Sequence, residues 1–262
     1  MKNILVLILV LLVPFSFTMA QDGSLGFTAG VELELPAINN EFTLYATPFI
    51  EYDNSLGNLD IWARAGIGLG IIDNNNFPVD LTVEFQPWFN LSLGENSTLS
   101  FGIYGGLRFQ ISPSTDDGFS FGLEPMVKYN QNLTLGDFYG ILGLPIDPVI
   151  PFKDDASFGL NLTLGWASTF GLGIEFSPHF NILPEGVEFF DSLDFLVSFE
   201  INPVYAELVV SISNDIDDGI TFSPYFEFGL DKMAFYLGAD IAGIGSSADA
   251  EINLILGFKY SF

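Results

Sequence analysis

Leu59-Asp60-Ile61-Trp62-Ala63-Arg64-Ala65-Gly66-Ile67-Gly68-Leu69-Gly70-Ile71 is the stretch from which this chain is best understood. Every second residue is aliphatic, and the places between hold Asp60, Trp62, Arg64, Gly66, Gly68 and Gly70. A helix would bring its apolar residues back about every 3.6 positions; a period of two puts them all on one side of an extended strand. The alternation recurs. Leu25, Phe27, Ala29, Val31, Leu33 and Leu35 alternate with Gly26, Thr28, Gly30, Glu32 and Glu34. Val79, Leu81, Val83, Phe85, Pro87 and Phe89 do the same, as do Leu99 to Ile111 and the closing Ile252, Leu254, Leu256, Phe258, Tyr260 and Phe262. Such runs predict an all-β chain with fourteen strands, near residues 24–35, 41–52, 58–71, 78–91, 98–111, 119–129, 133–143, 157–167, 171–180, 190–200, 204–213, 219–229, 232–242 and 249–262. The run 133–143 is the weakest, because Asp137 falls on its apolar side.

Composition narrows the function classes. The 262 residues are 49% hydrophobic with a mean hydropathy of +0.41, yet carry 33 Asp and Glu against 7 Lys and Arg, a formal charge of −26. A soluble acidic protein or a disordered chain would be less apolar. Nucleic acid is excluded as a partner, since gripping phosphates needs Lys and Arg. With 0 Cys there is no disulfide framework, thiolate metal site or cysteine nucleophile.

Met1-Lys2-Asn3 is a short positive start, residues 4–17 are apolar, and Thr18-Met19-Ala20 supplies small residues before a cleavage point. This predicts a signal peptide over 1–20, followed by one β domain over 21–262. A retained anchor would be short, and Pro14 would break it. Past Gln21 no segment approaches 18 consecutive apolar residues, so the apolar content lies in the alternating runs.

A one-sided strand buries its apolar face either against a second sheet or against lipid. Sandwich strands run about 5–6 residues, whereas tilted membrane strands need about 9–11, and most runs here reach that. The connections support the second solution. Residues 130–132, 168–170, 201–203 and Asp231 read as tight turns at one end, while 112–118, 144–156, 181–189 and 214–218 read as longer loops at the other, the habit of outer-membrane barrels. Aromatic residues flank the apolar stripes at Phe42 and Tyr52, Phe119 and Tyr129, Phe158 and Trp166, and Phe222 and Phe228, where interfacial girdles place rings. Phe258, Tyr260 and Phe262 sit on alternate places of the last run, and this resembles the C-terminal strand of bacterial outer-membrane β-barrels. The resemblance extends to the overall pattern and size, which are similar to fourteen-stranded porins. It implies a closed antiparallel transmembrane barrel in the outer membrane, with lipid and the barrel-assembly machinery as partners. Phe258, Tyr260 and Phe262 would be the assembly signal. Prolines 48, 87, 125 and 224 lie inside strands that share one direction and predict a repeated bulge. Pro178 lies on a strand of the other direction, which leaves twelve strands open as an alternative to fourteen.

In a membrane barrel the polar stripe faces the lumen. That parity holds Glu32, Glu34, Glu51, Asp60, Asp80, Glu84, Glu124, Glu175, Asp194, Glu200, Glu207, Glu227, Asp240 and Glu251, with only Arg64, Arg108, Lys128 and Lys259 against them. Four bases cannot neutralise fourteen acids, so a wet bore with this lining favours cations and repels anions. Fourteen strands tilted near 40° close at a backbone radius of roughly 14 Å. Inward glycines such as Gly66, Gly102, Gly165 and Gly238 either relieve strain or widen the bore, and residues 144–156 are the expected partial constriction.

Chemistry beyond passage is not legible. His179 is the chain's one histidine; Ser177 shares its stripe, but about 7 Å of strand separates their Cα atoms and no oxyanion element accompanies them. Asp215-Ile216-Asp217-Asp218-Gly219 lacks the spaced ligands and terminal Glu of a calcium loop, so no metal site is expected. The glycines of 66–70 precede no helix, so no cofactor is expected either. The expected function is passive diffusion of small cationic or neutral hydrophilic solutes, without catalysis. The alternative is a structural or surface-interaction barrel that transports nothing.

Overall fold

The computed structural model describes residues 26–38, 41–42, 44–72, 78–112, 119–150, 157–183, 186–214, 219–245 and 251–262; the expected leader over 1–20 lies outside them. Fourteen long strands form the wall: β1 Phe27–Ile38, β2 Leu44–Leu56, β3 Leu59–Ile72, β4 Val79–Ser92, β5 Ser97–Ser112, β6 Phe119–Leu133 and β7 Gly136–Gly143 make the first half. The second half is β8 Ser157–Ser168, β9 Leu172–Leu183, β10 Gly186–Ile201, β11 Val204–Ser213, β12 Ile220–Leu230, β13 Met233–Ile244 and β14 Glu251–Ser261. Short pieces at Glu41–Phe42 and Ile146–Ile150 extend the sheet. Every strand is antiparallel to its sequence neighbours, and β1 pairs with β14 from Thr28↔Ser261 to Ala37↔Ile252. The sheet therefore closes on itself, which removes the sandwich and settles fourteen strands over twelve. Following cross-strand partners once around the wall returns to β1 displaced by about 16 residues, a stagger that tilts the strands near 40° at a radius of roughly 13 Å.

The apolar stripes lie on the convex face. Ile67 is 44% exposed to solvent in the bare protein, Phe101 46%, Phe109 43% and Leu237 50%. An apolar band this continuous is a surface for hydrocarbon. Rings gather toward the short-turn end, with Phe27 and Tyr52 at 4.9 Å, Trp166 and Phe170 at 6.2 Å, and Tyr260 and Phe262 at 5.4 Å.

Connections at one end are brief: 57–58, 93–96, 134–135, 169–171, 202–203 and 231–232. Gly57 and Asp231 adopt the left-handed backbone (φ 67° and 54°) that two-residue hairpins require. Two expectations are corrected. Residues 130–132 belong to β6, and the chain reverses at 134–135, which moves Asp137 and Tyr139 onto the face opposite to the one the alternation suggested. Residues 181–189 are mostly strand, since Leu183 pairs with Gly186 beyond a register shift at His179/Asn181. The expected constriction over 144–156 is also altered: Ile146–Ile150 pairs with β6 and β8 and so lies in the wall, while 151–156 fall outside the described residues.

The prolines produce no bulges. Around Pro48 the pairs Ala46↔Leu69 and Phe49↔Gly66 keep one register, with the two positions between them unpaired. The same two-residue gap surrounds Pro87, Pro125, Pro178 and Pro224. All five side chains are on the convex face. In an antiparallel sheet an outward residue aims its N–H at the following strand when the chain runs one way and at the preceding strand when it runs the other. The gaps beside Pro48, Pro87, Pro125 and Pro224 face the following strand, and the gap beside Pro178 faces β8, the preceding one. Pro178 thus obeys the same rule. A missing donor interrupts the ladder on one side only, and Pro125 still accepts through its carbonyl from Leu144 N at 3.0 Å.

Candidate functional site: the polar concave face

Hydrogen bonds that leap over a strand identify the inside of the cylinder. Neighbouring strands lie about 4.8 Å apart, so side chains two strands away meet only where the sheet curves toward them. On the polar face Arg64 of β3 reaches Glu32 of β1 at 3.3 Å, Tyr236 of β13 reaches Glu32 at 2.8 Å, and Lys259 of β14 reaches Glu227 of β12 at 2.8 Å. Asn161 of β8 reaches Glu124 of β6 at 2.9 Å, and Tyr139 of β7 donates to Glu175 of β9. The polar face is concave.

The cross-strand register puts the expected residues on that one face. β1 supplies Glu32 and Glu34, β2 Glu51, β3 Asp60 and Arg64, β4 Asp80 and Glu84, β5 Arg108, and β6 Glu124 and Lys128. β9 supplies Glu175, β10 Asp194 and Glu200, β11 Glu207, β12 Glu227, β13 Asp240, and β14 Glu251 and Lys259. Some come together. Glu51, Arg64 and Glu84 are consecutive partners across β2, β3 and β4, so a guanidinium bonded to Glu32 has two further carboxylates beside it in the ladder. Arg108 pairs with Asp80 at 3.1 Å. Lys128 instead lies over the Tyr139 ring, 5.3 Å from its centre.

Neutral donors also hold carboxylates, including the Glu227 that Lys259 reaches. Tyr104 donates to Glu84 at 2.6 Å, Tyr225 to Glu227 at 2.7 Å and Tyr205 to Glu207, while Asn90 donates to Asp60 at 2.5 Å and accepts from Ser100 at 2.6 Å. His179 stands between two acceptors, Nδ1 on Asn161 Oδ1 at 2.8 Å and Nε2 on Asp194 Oδ2 at 3.0 Å. Ser177 bonds Thr163 at 3.0 Å, so the histidine and serine do not form a nucleophile–base pair. Among the described residues no three metal-ligating side chains converge, and of the acidic stretch 215–219 residues 215–218 lie outside them.

Glycine has a role on this face that neither sequence reading contained. A Cβ on Gly30 would strike the Phe49 ring, on Gly102 the Trp88 indole, on Gly165 the Tyr139 ring, and on Gly257 the Tyr236 ring. Each glycine is the direct cross-strand partner of that aromatic residue. The ring lies flat on the neighbouring backbone, and the tyrosine hydroxyl then reaches the residue beyond: Tyr139, Gly165 and Glu175 form one row, as do Tyr236, Gly257 and Glu32. Phe49, Asn90 and Asn161 also face inward, although the expected lining does not name them, and Tyr139 does so against the expected face of its strand. Phe49 looks like a lipid-facing side chain but is 7% exposed beneath Arg64, whose guanidinium is 4.1 Å from the ring centre.

No family profile and no curated protein sequence matches the chain. Solved structures do. A mutant of the Rh. blastica porin aligns over 91% of this chain and 100% of its own, at 6% identity and a TM-score of 0.47. CdiB from Acinetobacter baumannii aligns over 91% and 61%, at 8% and 0.48. The toluene transporter TodX of Pseudomonas putida aligns over 97% of this chain and 93% of its own, at 10% identity and a TM-score of 0.50. At such identities the likeness concerns fold alone. The chain thus has the fold of a closed fourteen-stranded antiparallel barrel, apolar outside and polar inside, and in that fold it is similar to these barrels.

Proposed function

We propose that the barrel is an outer-membrane pore through which small hydrophilic solutes, cationic or neutral, diffuse passively, and that it is a channel and not an enzyme. The observation that carries this reading is the charge of the concave face, where the fourteen expected carboxylates, joined by Asp137, meet Arg64, Arg108, Lys128 and Lys259. Carboxylates in a narrow wet bore raise the local concentration of cations and lower that of anions, by an amount that salt reduces. The polar wall and the apolar outer band support a conduit across lipid, and TodX lends a transporter's fold to the comparison. On the same reading the barrel-assembly machinery would engage the C-terminal strand, where Phe258, Tyr260 and Phe262 resemble the assembly signal of outer-membrane barrels.

The test is single-channel recording in planar bilayers. Stable steps whose reversal potential follows the cation gradient are expected. Glu84→Gln with Glu124→Gln should shift that potential toward zero, and the wild-type preference should fall as salt rises from about 0.1 M to 1 M. A folded, heat-modifiable barrel that stays silent in the bilayer would remove the pore reading in favour of a structural or surface role.

A further inference from the structure

One recess in the concave wall carries both signs of charge. It encloses about 340 Å³ over β4, β5 and β6 and is walled also by Pro145 and Ile146, with Arg108 at one end, Glu84 beside its middle, and Tyr104 and Glu124 at the other end. Three register rows build it. Arg108 stands between Thr82 and Ser120; the next row is Glu84, Gly106 and Gly122; the third brings Tyr104 against Glu124. Successive rows are two residues, about 7 Å, apart along the strands. The floor is therefore the bare backbone of Gly106 and Gly122, flanked by Glu84 in the same row and lying between the row of Arg108 and that of Glu124.

The charged groups are anchored with capacity to spare. Arg108 is 65% exposed at its side chain and uses Nη2 on Asp80, which holds it from the side away from the recess. A guanidinium has five N–H donors in a planar fork suited to a carboxylate. Glu84 receives Tyr104 on Oε1, and Glu124 receives Asn161 on Oε1. A lone cation here would meet Arg108, and a lone anion would meet two carboxylates. Only a molecule bearing both charges a few ångströms apart satisfies the two ends together, and the volume, at the low end for small-molecule sites, limits it to a few heavy atoms.

We infer that this recess is a binding site for small zwitterions of the amino-acid or dipeptide type, carboxylate toward Arg108 and ammonium toward Glu84 and Glu124. As a substrate class this rests on the pore reading; as a binding site it does not.

Glycylglycine is the probe, with ethylammonium chloride and sodium acetate as single-charge controls. Binding to the folded barrel in detergent is followed by saturation-transfer NMR, and block of current by the same probe is followed in bilayers. Millimolar binding of glycylglycine is expected, with both controls weaker by about five-fold or more, and a loss of similar size in Arg108→Gln and in Glu84→Gln/Glu124→Gln. Equal binding of either control to the wild-type barrel overturns the assignment without any variant having to fold, as does glycylglycine binding that a folded Arg108→Gln barrel retains. A barrel that binds the dipeptide and conducts nothing keeps the recess and loses the pore; one that conducts and does not bind loses only the recess.

Discussion

The concave wall treats its carboxylates differently on two arcs. From β12 through β14 to β5, cations sit among them: Lys259 on Glu227, Arg64 on Glu32 and Arg108 on Asp80. From β6 to β11 the donors are the neutral Tyr139, Asn161 and Tyr205, together with His179 on Asp194. The Arg and Lys ion pairs between described residues all lie on the first arc. A phenol or amide satisfies the lone pairs of a carboxylate and leaves its charge in place, whereas an ion pair cancels the charge at a distance. The first arc thus ties three of its nine expected carboxylates to cations, whereas on the second arc Lys128 lies over the Tyr139 ring and the carboxylates keep neutral donors and His179.

Substitutions can break or sharpen that contrast. The largest expected effect is at the closing seam of the first arc. Gly257→Ala forces the Tyr236 ring off the backbone and away from Glu32, and should cost about 2–3 kcal/mol in urea titrations of the folded barrel. Next, Arg64→Gln leaves Glu32 without its cation beside Glu51 and Glu84 in the ladder; with both partners partly exposed, a loss of about 1–2 kcal/mol is expected from the same titration. On the second arc Tyr139→Phe removes one neutral donor from Glu175 and should cost about 1 kcal/mol. In reversal potentials the order inverts: Glu175→Gln should reduce cation preference more than Glu32→Gln, and equal shifts would abolish the distinction between the arcs. The smallest effect is expected outside the lumen, where Pro178→Ala restores a donor facing β8 and should change stability by less than about 1 kcal/mol. A larger loss would mean that the proline contributes through packing and not merely as a tolerated gap.

Much of this molecule was legible in its residues. The run from Leu59 to Ile71 became β3 within a residue of its expected ends, and each of the fourteen strands overlaps its expected span. Failures cluster where alternation lapses. Between Asn130 and Gly136 polar and apolar residues stop taking turns, the reversal was set too early, and Tyr139 was read as facing lipid when it faces the bore. Phe49 is absent from the expected lining for another reason: its apolar ring is accommodated inside by Gly30 and Arg64, and neither is near it in the chain. Pro178 was visible as an exception, but the direction of its missing donor is a property of the pair of strands.

What the residues determined alone, on every strand but β7, is which side forms the apolar outer face and which the polar inner one, because a side chain's face depends only on its parity along its own strand. What the tertiary structure decided is which residues share a row: Tyr236 over Gly257 beside Glu32, Arg64 between Glu51 and Glu84, and Arg108 across two glycines from Glu124. A slip of two residues between neighbouring strands leaves both faces unchanged, so alternation admits several registers equally. Closure of the whole cylinder selects one of them.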